Sequence, residues 1–407
     1  MSSDLRRRLE RLERGSSRVR ARRSGKIRAL PQGKETKTAS GLAFHINTHY
    51  PSDYLHGNRS LQELLPYASG LAAEVGNDPG LSGSKIRRWG FVDIETTGLS
   101  GGAGTLGFLI GLGTFVKSGF NLRQYFLRDP EQEAATLQLL RSDLKNVDGL
   151  VTFNGRSFDL PIIESRYTIA VRDRWRLSRR PHLDLLYPSR RLWSKTLPNC
   201  RLGTLERRVL DVERTEEDVP GELIPGMYLD YLRTGDASDM TRVIYHNAID
   251  ILSLVGLSSV VLEKHLDQDP SGLAGGEALA VARWHEANGR MGEAEVAYQA
   301  AVRGAPNDML RAEVLRYRTG LLKRQKRREH AESSWKEWHE AAPDDPAPCI
   351  ELAMYYEWEL KDLSQAHTWA KTALGIVNQW PKGWKRDQRS AEIEHRIARL
   401  KRKMNQE

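Results

Sequence analysis

Apolar and polar positions along this chain follow two periods, and the pattern changes near residue 267. Before that point, apolar runs of strand length alternate with stretches of helical period. Residues 41–48 read as a strand, and residues 89–96 as a largely apolar one. Residues 105–116 and 120–127 alternate as the arms of a hairpin, with Lys117-Ser118-Gly119 at its turn. Pro130 opens a helix at a favoured first-turn position, and Ala134, Leu137, Leu140 and Leu144 then recur at spacings of three or four. Residues 149–153 predict a short buried strand, 161–167 a helix, 182–187 another strand, and 228–233 and 241–262 two more helices. Three leading strands followed by alternating helices and strands predict an α/β domain, a mixed sheet flanked by helices.

Residues 267–276 contain Asp-Pro and three Gly and read as a linker. Everything beyond is helical in pattern and carries a weak repeat. Ala294, Ala331 and Ala366 open similar segments. Tyr298, Trp335 and Ala370 follow four residues later, and Ala301, Trp338 and Ala373 seven later; Pro306 and Pro343 close the first two copies. Small residues at fixed positions let paired helices approach, and large ones fill the gaps. The period is close to the ~34 residues of a tetratricopeptide repeat; the alternative is an ordinary helical bundle. Seven Trp fall in this region and read mostly as core. The expected organisation is a basic arm at 1–35, an α/β domain at 36–266, a linker at 267–276 and a helical domain at 277–407.

Composition narrows the class. With 407 residues, 39% of them hydrophobic and 28% charged, the chain is long enough for two or three cores. Two cysteines, Cys200 and Cys349, exclude a disulfide scaffold and fit a reducing cytoplasm. The run read as most apolar, residues 107–116, is about half the ~20 residues of a membrane helix, and no apolar segment follows the basic N-terminus, so neither a membrane protein nor a secretory signal is expected. The net charge of +9 is unevenly placed: residues 1–35 hold ten Arg and two Lys against four acids. Such an arm either binds phosphates or is a solvated tail; Leu5, Leu9 and Leu12 give its first part helical spacing.

Four passages carry candidate chemistry. In Phe91-Val92-Asp93-Ile94-Glu95, strand alternation puts Asp93 and Glu95 on one face. Adjacent carboxylates repel, so the pair is either a partly exposed surface or a holder for Mg²⁺ or Mn²⁺. In Thr152-Phe153-Asn154-Gly155-Arg156-Ser157-Phe158-Asp159, an apolar strand ends in a polar turn and Asp159 begins a helix, where Asp is also a common cap. His246 and Asp250, four apart, share a helix face. His182 and Asp184 add a His and an acid on an expected strand. The Gly-rich stretch 98–107 lacks the Gly-Lys-Ser/Thr ending of a nucleotide-triphosphate loop. The stretch Arg172, Arg174, Trp175, Arg176, Arg179, Arg180 interleaves cations with a Trp and reads either as a nucleic-acid contact beside the cleft or as a solvated basic face.

Taken in order, Asp-x-Glu, Asn-Gly-x-x-Phe-Asp and His-x-x-x-Asp make one pattern. The sequence resembles the DEDD exonucleases of the RNase H-like superfamily, and among them the YprB-type family, in which tetratricopeptide-like helices follow the nuclease domain. Cys200-Arg201-Leu202 with Leu205-Glu206, Pro220-Gly221 with Ile224-Pro225, and His246-Asn247-Ala248-Ile249-Asp250 add to the match, which covers residues 40–262 and, more loosely, 275–377. The resemblance implies that Asp93, Glu95, Asp159 and Asp250 hold two divalent cations, with His246 as base and Asn154 beside the nucleic acid. One departure stands out. In the DEDD group a His base stands five residues before the last Asp and a Tyr base four before; here Tyr245 and His246 occupy those places the other way round. The helix-face argument favours His246.

The leading expectation is a metal-dependent 3′–5′ exonuclease acting on DNA in repair, with a helicase as one partner the helical repeats could engage. The alternatives are an RNA exonuclease, since no motif reads a 2′-hydroxyl, and a nucleic-acid-binding scaffold that has lost catalysis.

Overall fold

The computed structural model describes residues 29–98, 104–215, 217–266 and 269–406. The first 28 residues, and with them nearly all of the basic arm, lie outside this set, as does most of the Gly-rich stretch between 98 and 107. Two compact units are present. One comprises residues up to Arg190 and Pro198–Leu266; the other comprises Arg191–Leu197 and the chain beyond residue 266.

The first unit is built on a seven-stranded sheet. Its strands are β1 (Lys34–Thr38), β2 (Gly41–Pro51), β3 (Trp89–Thr96), β4 (Gly107–Val116), β5 (Gly119–Phe126), β6 (Gly149–Thr152) and β7 (His182–Asp184). The spatial order is β1-β2-β5-β4-β3-β6-β7. All pairs from β1 to β3 are antiparallel, while β3/β6 and β6/β7 are parallel. This is the mixed sheet the sequence predicts. Its longer helices are α1 (Ser69–Gly76), α2 (Glu133–Asp143), α3 (Asp159–Val171), α4 (Leu186–Trp193, of which Arg191–Trp193 belong to the second unit), α5 (Ile224–Thr234) and α6 (Ser238–Leu266). Val92, Ile94, Ile110 and Leu112 pack with Leu137 and Leu140 of α2 and Leu160 and Ile163 of α3. Phe44, Phe108 and Phe126 pack with Tyr228 of α5 and Met240 and Val243 of α6. The Phe108 and Tyr228 rings stack with centroids 4.0 Å apart. The sheet is thus covered by helices on both faces.

Three sequence expectations change. Residues 182–187 are not one strand: β7 ends at Asp184, whose carboxylate accepts from the Leu186 amide at 3.2 Å and turns the chain into α4. The arm expected to reach residue 35 overlaps β1, a polar edge strand whose ladder bonds come from β2 rather than from any apolar pattern. The most apolar segment is not 107–116 but lies in α6, which among the described residues is the one helix long and apolar enough to cross a membrane. Its apolar window is 72% buried inside the protein, which accounts for its composition.

The described residues of the second unit beyond residue 268 are helical, with α7 (Gly275–Ala287), α8 (Met291–Arg303), α9 (Asp308–Arg324), α10 (Glu332–Ala341), α11 (Ala347–Trp358), α12 (Leu363–Asn378) and α13 (Trp384–Met404). Each packs on the next. Ala294, Ala331 and Ala366 are all fully buried at or near the starts of α8, α10 and α12, and Tyr298, Trp335 and Ala370 are buried behind them. The repeat therefore marks the second helix of each successive pair. Trp284, Trp335 and Trp338 are core; Trp358 and Trp384 are exposed.

Candidate metal centre

The site lies where the carboxyl ends of β3 and β6 meet α6. Asp93 and Glu95 come from β3, opposite Gly111 and Leu109 of β4. Asp159 is the first residue of α3 and is almost fully buried. The backbone N–H groups of Ile94 and of Asp159 itself are directed at its carboxylate, so Asp159 is tied to β3 as well as to its own helix. Parallel pairing of β3 with β6 stops at Phe91, which leaves the Ile94 amide available for that contact.

The turn that delivers Asp159 is held from below. Asn154 has a left-handed backbone, φ 66°. A Cβ on Gly155 would come within 2.4 Å of Thr152 Oγ1, so only glycine fits there. Asp184 accepts from the backbone N–H of Asn154 at 2.8 Å and of Arg156 at 3.1 Å. His182 Nε2 lies 2.8 Å from Thr152 Oγ1. Its burial, with Arg156 adding to it, pushes the His182 imidazole down to about 4.

Helix α6 supplies His246, Asn247 and Asp250. Asn247 donates to Asp93 Oδ2 at 2.9 Å and accepts from Gln124 Nε2 at 2.9 Å. His246 Nε2 lies 3.6 Å from Asp250 Oδ2 and 4.0 Å from Glu95 Oε1. Tyr245 is turned elsewhere; its hydroxyl accepts from the Thr215 amide at 3.4 Å. Glu206, Arg214 and Asp218 close this side. Arg214 forms a bidentate pair with the buried Glu206, both contacts 2.7 Å, and also bonds Asp250 and, at 3.3 Å, Asp218. His246 Nδ1 is 2.7 Å from Asp218 Oδ1.

The four acids are electrostatically one group. Burial, then Asp250, Glu95 and Asp159, hold the Asp93 carboxyl well above the ordinary range, against a lowering bond from Asn247. Burial, then Asp250 and Asp159, raise Glu95. Asp159 is pushed up to about 7, chiefly by burial, with Asp184 and Asp250 adding. Asp250 is raised by burial despite Arg214 and His246. Burial works against the Arg214 charge, but Asp250, Glu206 and Asp218 outweigh it and hold the guanidinium protonated.

Crowded, buried carboxylates with raised pKa values hold protons when nothing else balances them, and a dication can replace those protons. Ligand atoms of Glu95, His246 and Asp250 all lie within 4.8 Å of one another. A set of carboxylate oxygens with one imidazole suits Mg²⁺ or Mn²⁺ better than a soft metal. The residues present fit a divalent cation.

The sequence profile of the RNase H superfamily matches residues 90–261, from the start of β3 to the end of the apolar run of α6. The chain is also 32% identical over 364 residues to the uncharacterized protein YprB of Bacillus subtilis (strain 168), an alignment that covers 87% of this chain and 84% of that one. The chain belongs to the YprB family of the RNase H superfamily. Its nuclease-type domain therefore spans the strands and helices that carry all four acids. The two leading strands β1 and β2 precede the matched region and extend the RNase H-like sheet at β5.

The other expected residues stand outside the acid cluster at different distances. Asn154 is exposed on the turn before Asp159. Arg172 ends α3, and a 13-residue helix at 1.5 Å per residue puts it about 20 Å from Asp159. The basic stretch thus stands at the far end of α3. There Trp175 packs edge-on against Tyr167 and Arg180 donates to the Val147 carbonyl at 2.6 Å, while Arg172, Arg174, Arg176 and Arg179 are exposed. Sequence reasoning missed Arg214, Asp218 and Gln124, and the roles of Glu206 and Asn247. The Arg-x-x-x-Asp spacing in the acidic run 213–218 is the one signal for the clamp, and it reads equally as a solvated loop.

Proposed function

We propose that this protein is a metal-dependent nuclease that hydrolyses phosphodiester bonds with two divalent cations, acting as a 3′–5′ exonuclease on DNA. The observation that carries the reading is the convergence of Glu95, His246 and Asp250 within 4.8 Å, beside the buried Asp93 and Asp159. Asp93, Glu95, Asp159 and Asp250 would hold Mg²⁺ or Mn²⁺, which supply Lewis-acid stabilisation of the attacking and leaving oxygens. His246, on the same face of α6 as Asp250, takes the proton of the attacking water. Water oxygen bonds to phosphorus as the bond to the 3′ oxygen breaks, and that oxygen leaves with a proton. The Asn154 turn and the exposed Arg172, Arg174, Arg176 and Arg179 supply backbone contacts that position a strand without reading its sequence; Trp175 and Arg180 hold that segment in place. DNA repair is the setting this activity fits. The stacked helix pairs of the second unit make a tetratricopeptide-like surface for a protein partner, of which a helicase supplying single strands is one candidate.

The test uses a 5′-labelled DNA strand, a matched RNA strand and a covalently closed circle, each with and without Mn²⁺. Metal-dependent laddering of the linear DNA, absent in Asp93→Ala/Glu95→Ala, supports the reading. Efficient cutting of the circle contradicts the exonuclease mode. Preference for the RNA strand moves the substrate to RNA, and DNA binding without turnover on any substrate leaves a scaffold.

A further inference from the structure

His246 Nδ1 has two neighbours that make opposite demands. Asp218 Oδ1 lies 2.7 Å away and Arg214 Nη1 3.0 Å away. A carboxylate only accepts and a guanidinium only donates, so a single ring nitrogen cannot serve both. The contact to Asp218 is the shorter, and Arg214 Nη1 has an acceptor of its own in the same carboxylate at 3.3 Å. The proton therefore sits on Nδ1 and is donated to Asp218. At 3.6 and 4.0 Å, Asp250 and Glu95 are too far from Nε2 to accept a hydrogen bond from it. In the neutral ring Nε2 then carries the lone pair, and that lone pair faces the acids.

Asp218 is not free to drift. Arg214 ties it to Glu206, which is buried and also accepts from Ser253 Oγ of α6 at 2.7 Å. The anchor therefore returns to the helix that carries His246. We propose that Asp218, held through Arg214 by the buried Glu206, is a positioning residue that fixes His246 as its Nδ1–H tautomer and so aims the free Nε2 at the site of water attack. The catalytic consequence rests on the nuclease reading above; the tautomer does not.

The experiment has two arms. In the first, nitrogen-15 long-range correlation spectra are recorded on the full chain labelled at histidine, without divalent cation and at a pH high enough that the His246 ring is neutral, with the His246 signals assigned by their loss in His246→Gln. The expected wild-type pattern is a protonated Nδ1 and an unprotonated Nε2. In Asp218→Ala only Arg214 remains beside Nδ1, so the proton should move to Nε2. A neutral wild-type ring protonated at Nε2 overturns the proposal, and so does a folded Asp218→Ala with an unchanged tautomer. If that variant does not fold, the wild-type spectrum alone decides.

In the second arm, Asp218→Ala should lower kcat by about 10²-fold or more, the range of a misdirected general base, with KM and calorimetric Mn²⁺ affinity little changed. A loss of Mn²⁺ affinity of about 10–100-fold with kcat preserved at saturating Mn²⁺ would make His246 a ligand supported by Asp218 and overturn the base role. A wild-type protein with no activity on any nucleic acid sinks the nuclease reading while leaving the tautomer result standing.

Discussion

The side-chain amide of Asn247 is a polar bridge between α6 and β3: it donates to Asp93 Oδ2 at 2.9 Å while its oxygen accepts from Gln124 of β5. The bridge needs the bare backbone of Gly111, where a Cβ would fall 2.5 Å from Asn247 Oδ1. Asn247→Leu keeps the volume and removes the donor. Asp93 then loses a bond that favours its ionised form, and its carboxyl should rise further. We expect a stability loss of about 1–3 kcal/mol in urea unfolding. Calorimetric Mn²⁺ affinity should fall roughly 10-fold, as for the loss of a group that orients a ligand. Unchanged metal binding in a folded variant would remove Asn247 from the support of Asp93.

Arg214 is the cation that the buried Glu206 depends on. Arg214→Met leaves Glu206 with the Ser253 hydroxyl as donor but no balancing guanidinium, and should cost about 3–5 kcal/mol, the usual penalty for stranding one member of a buried pair. Adding Glu206→Gln removes the stranded charge and should restore a large part of that stability. A double-mutant cycle by urea unfolding reads both numbers. A double-variant loss equal to the sum of the two single losses would show that the pair is not coupled.

How much of this was legible in the sequence follows from where the partners sit. The strands β2 to β6 and the long helices announce themselves by period, because one face of each meets the core. Asp93 and Glu95 stand two apart on a strand, and His246 and Asp250 one turn apart on a helix, so local geometry alone puts each pair on one face. The apolar window of α6 is masked in the sequence, because polar first turns precede its buried second half. β1 was not legible: Lys34–Thr38 is polar, and its pairing with β2 is backbone chemistry. The clamp was not legible either, since Arg214 meets Asp250 from 36 residues away through a segment with no periodic pattern.

The acids make the cation-free protein sensitive to rising pH. Asp159 titrates at about 7 in the folded state against an ordinary 3.8, so the folded state binds that proton more tightly than the unfolded one. Its contribution is fully present below the unfolded value and is lost as pH rises through 7. Asp159→Asn should therefore stabilise the cation-free protein by about 1–3 kcal/mol at pH 8, with the gain shrinking toward pH 4. Mn²⁺ should raise the thermal midpoint of the wild type at pH 8 and raise that of the variant much less. Thermal melts across pH, with and without Mn²⁺, check both signs. A variant less stable than wild type at pH 8 without cation would contradict the raised Asp159.

Asp184 acts on the same carboxylate from two directions, which lets its charge and its hydrogen bonds be separated. It accepts from the amides of Asn154, Arg156 and Leu186, and its charge raises Asp159. Asp184→Ala strips the acceptors from the turn before Asp159 and should cost about 1–3 kcal/mol. Amide exchange at Asn154 and Arg156 should quicken in step. Asp184→Asn removes the charge and keeps one acceptor oxygen, enough for the Asn154 and Leu186 amides that share Oδ1 but not for Arg156 on Oδ2, so exchange at Asn154 should stay slow while the Asp159 titration moves down from about 7. Turnover by the nuclease would then follow the turn rather than the charge, falling in the Ala variant and surviving in the Asn variant. If both variants exchange and turn over alike, the hydrogen bonds of Asp184 do not hold the turn that delivers Asp159.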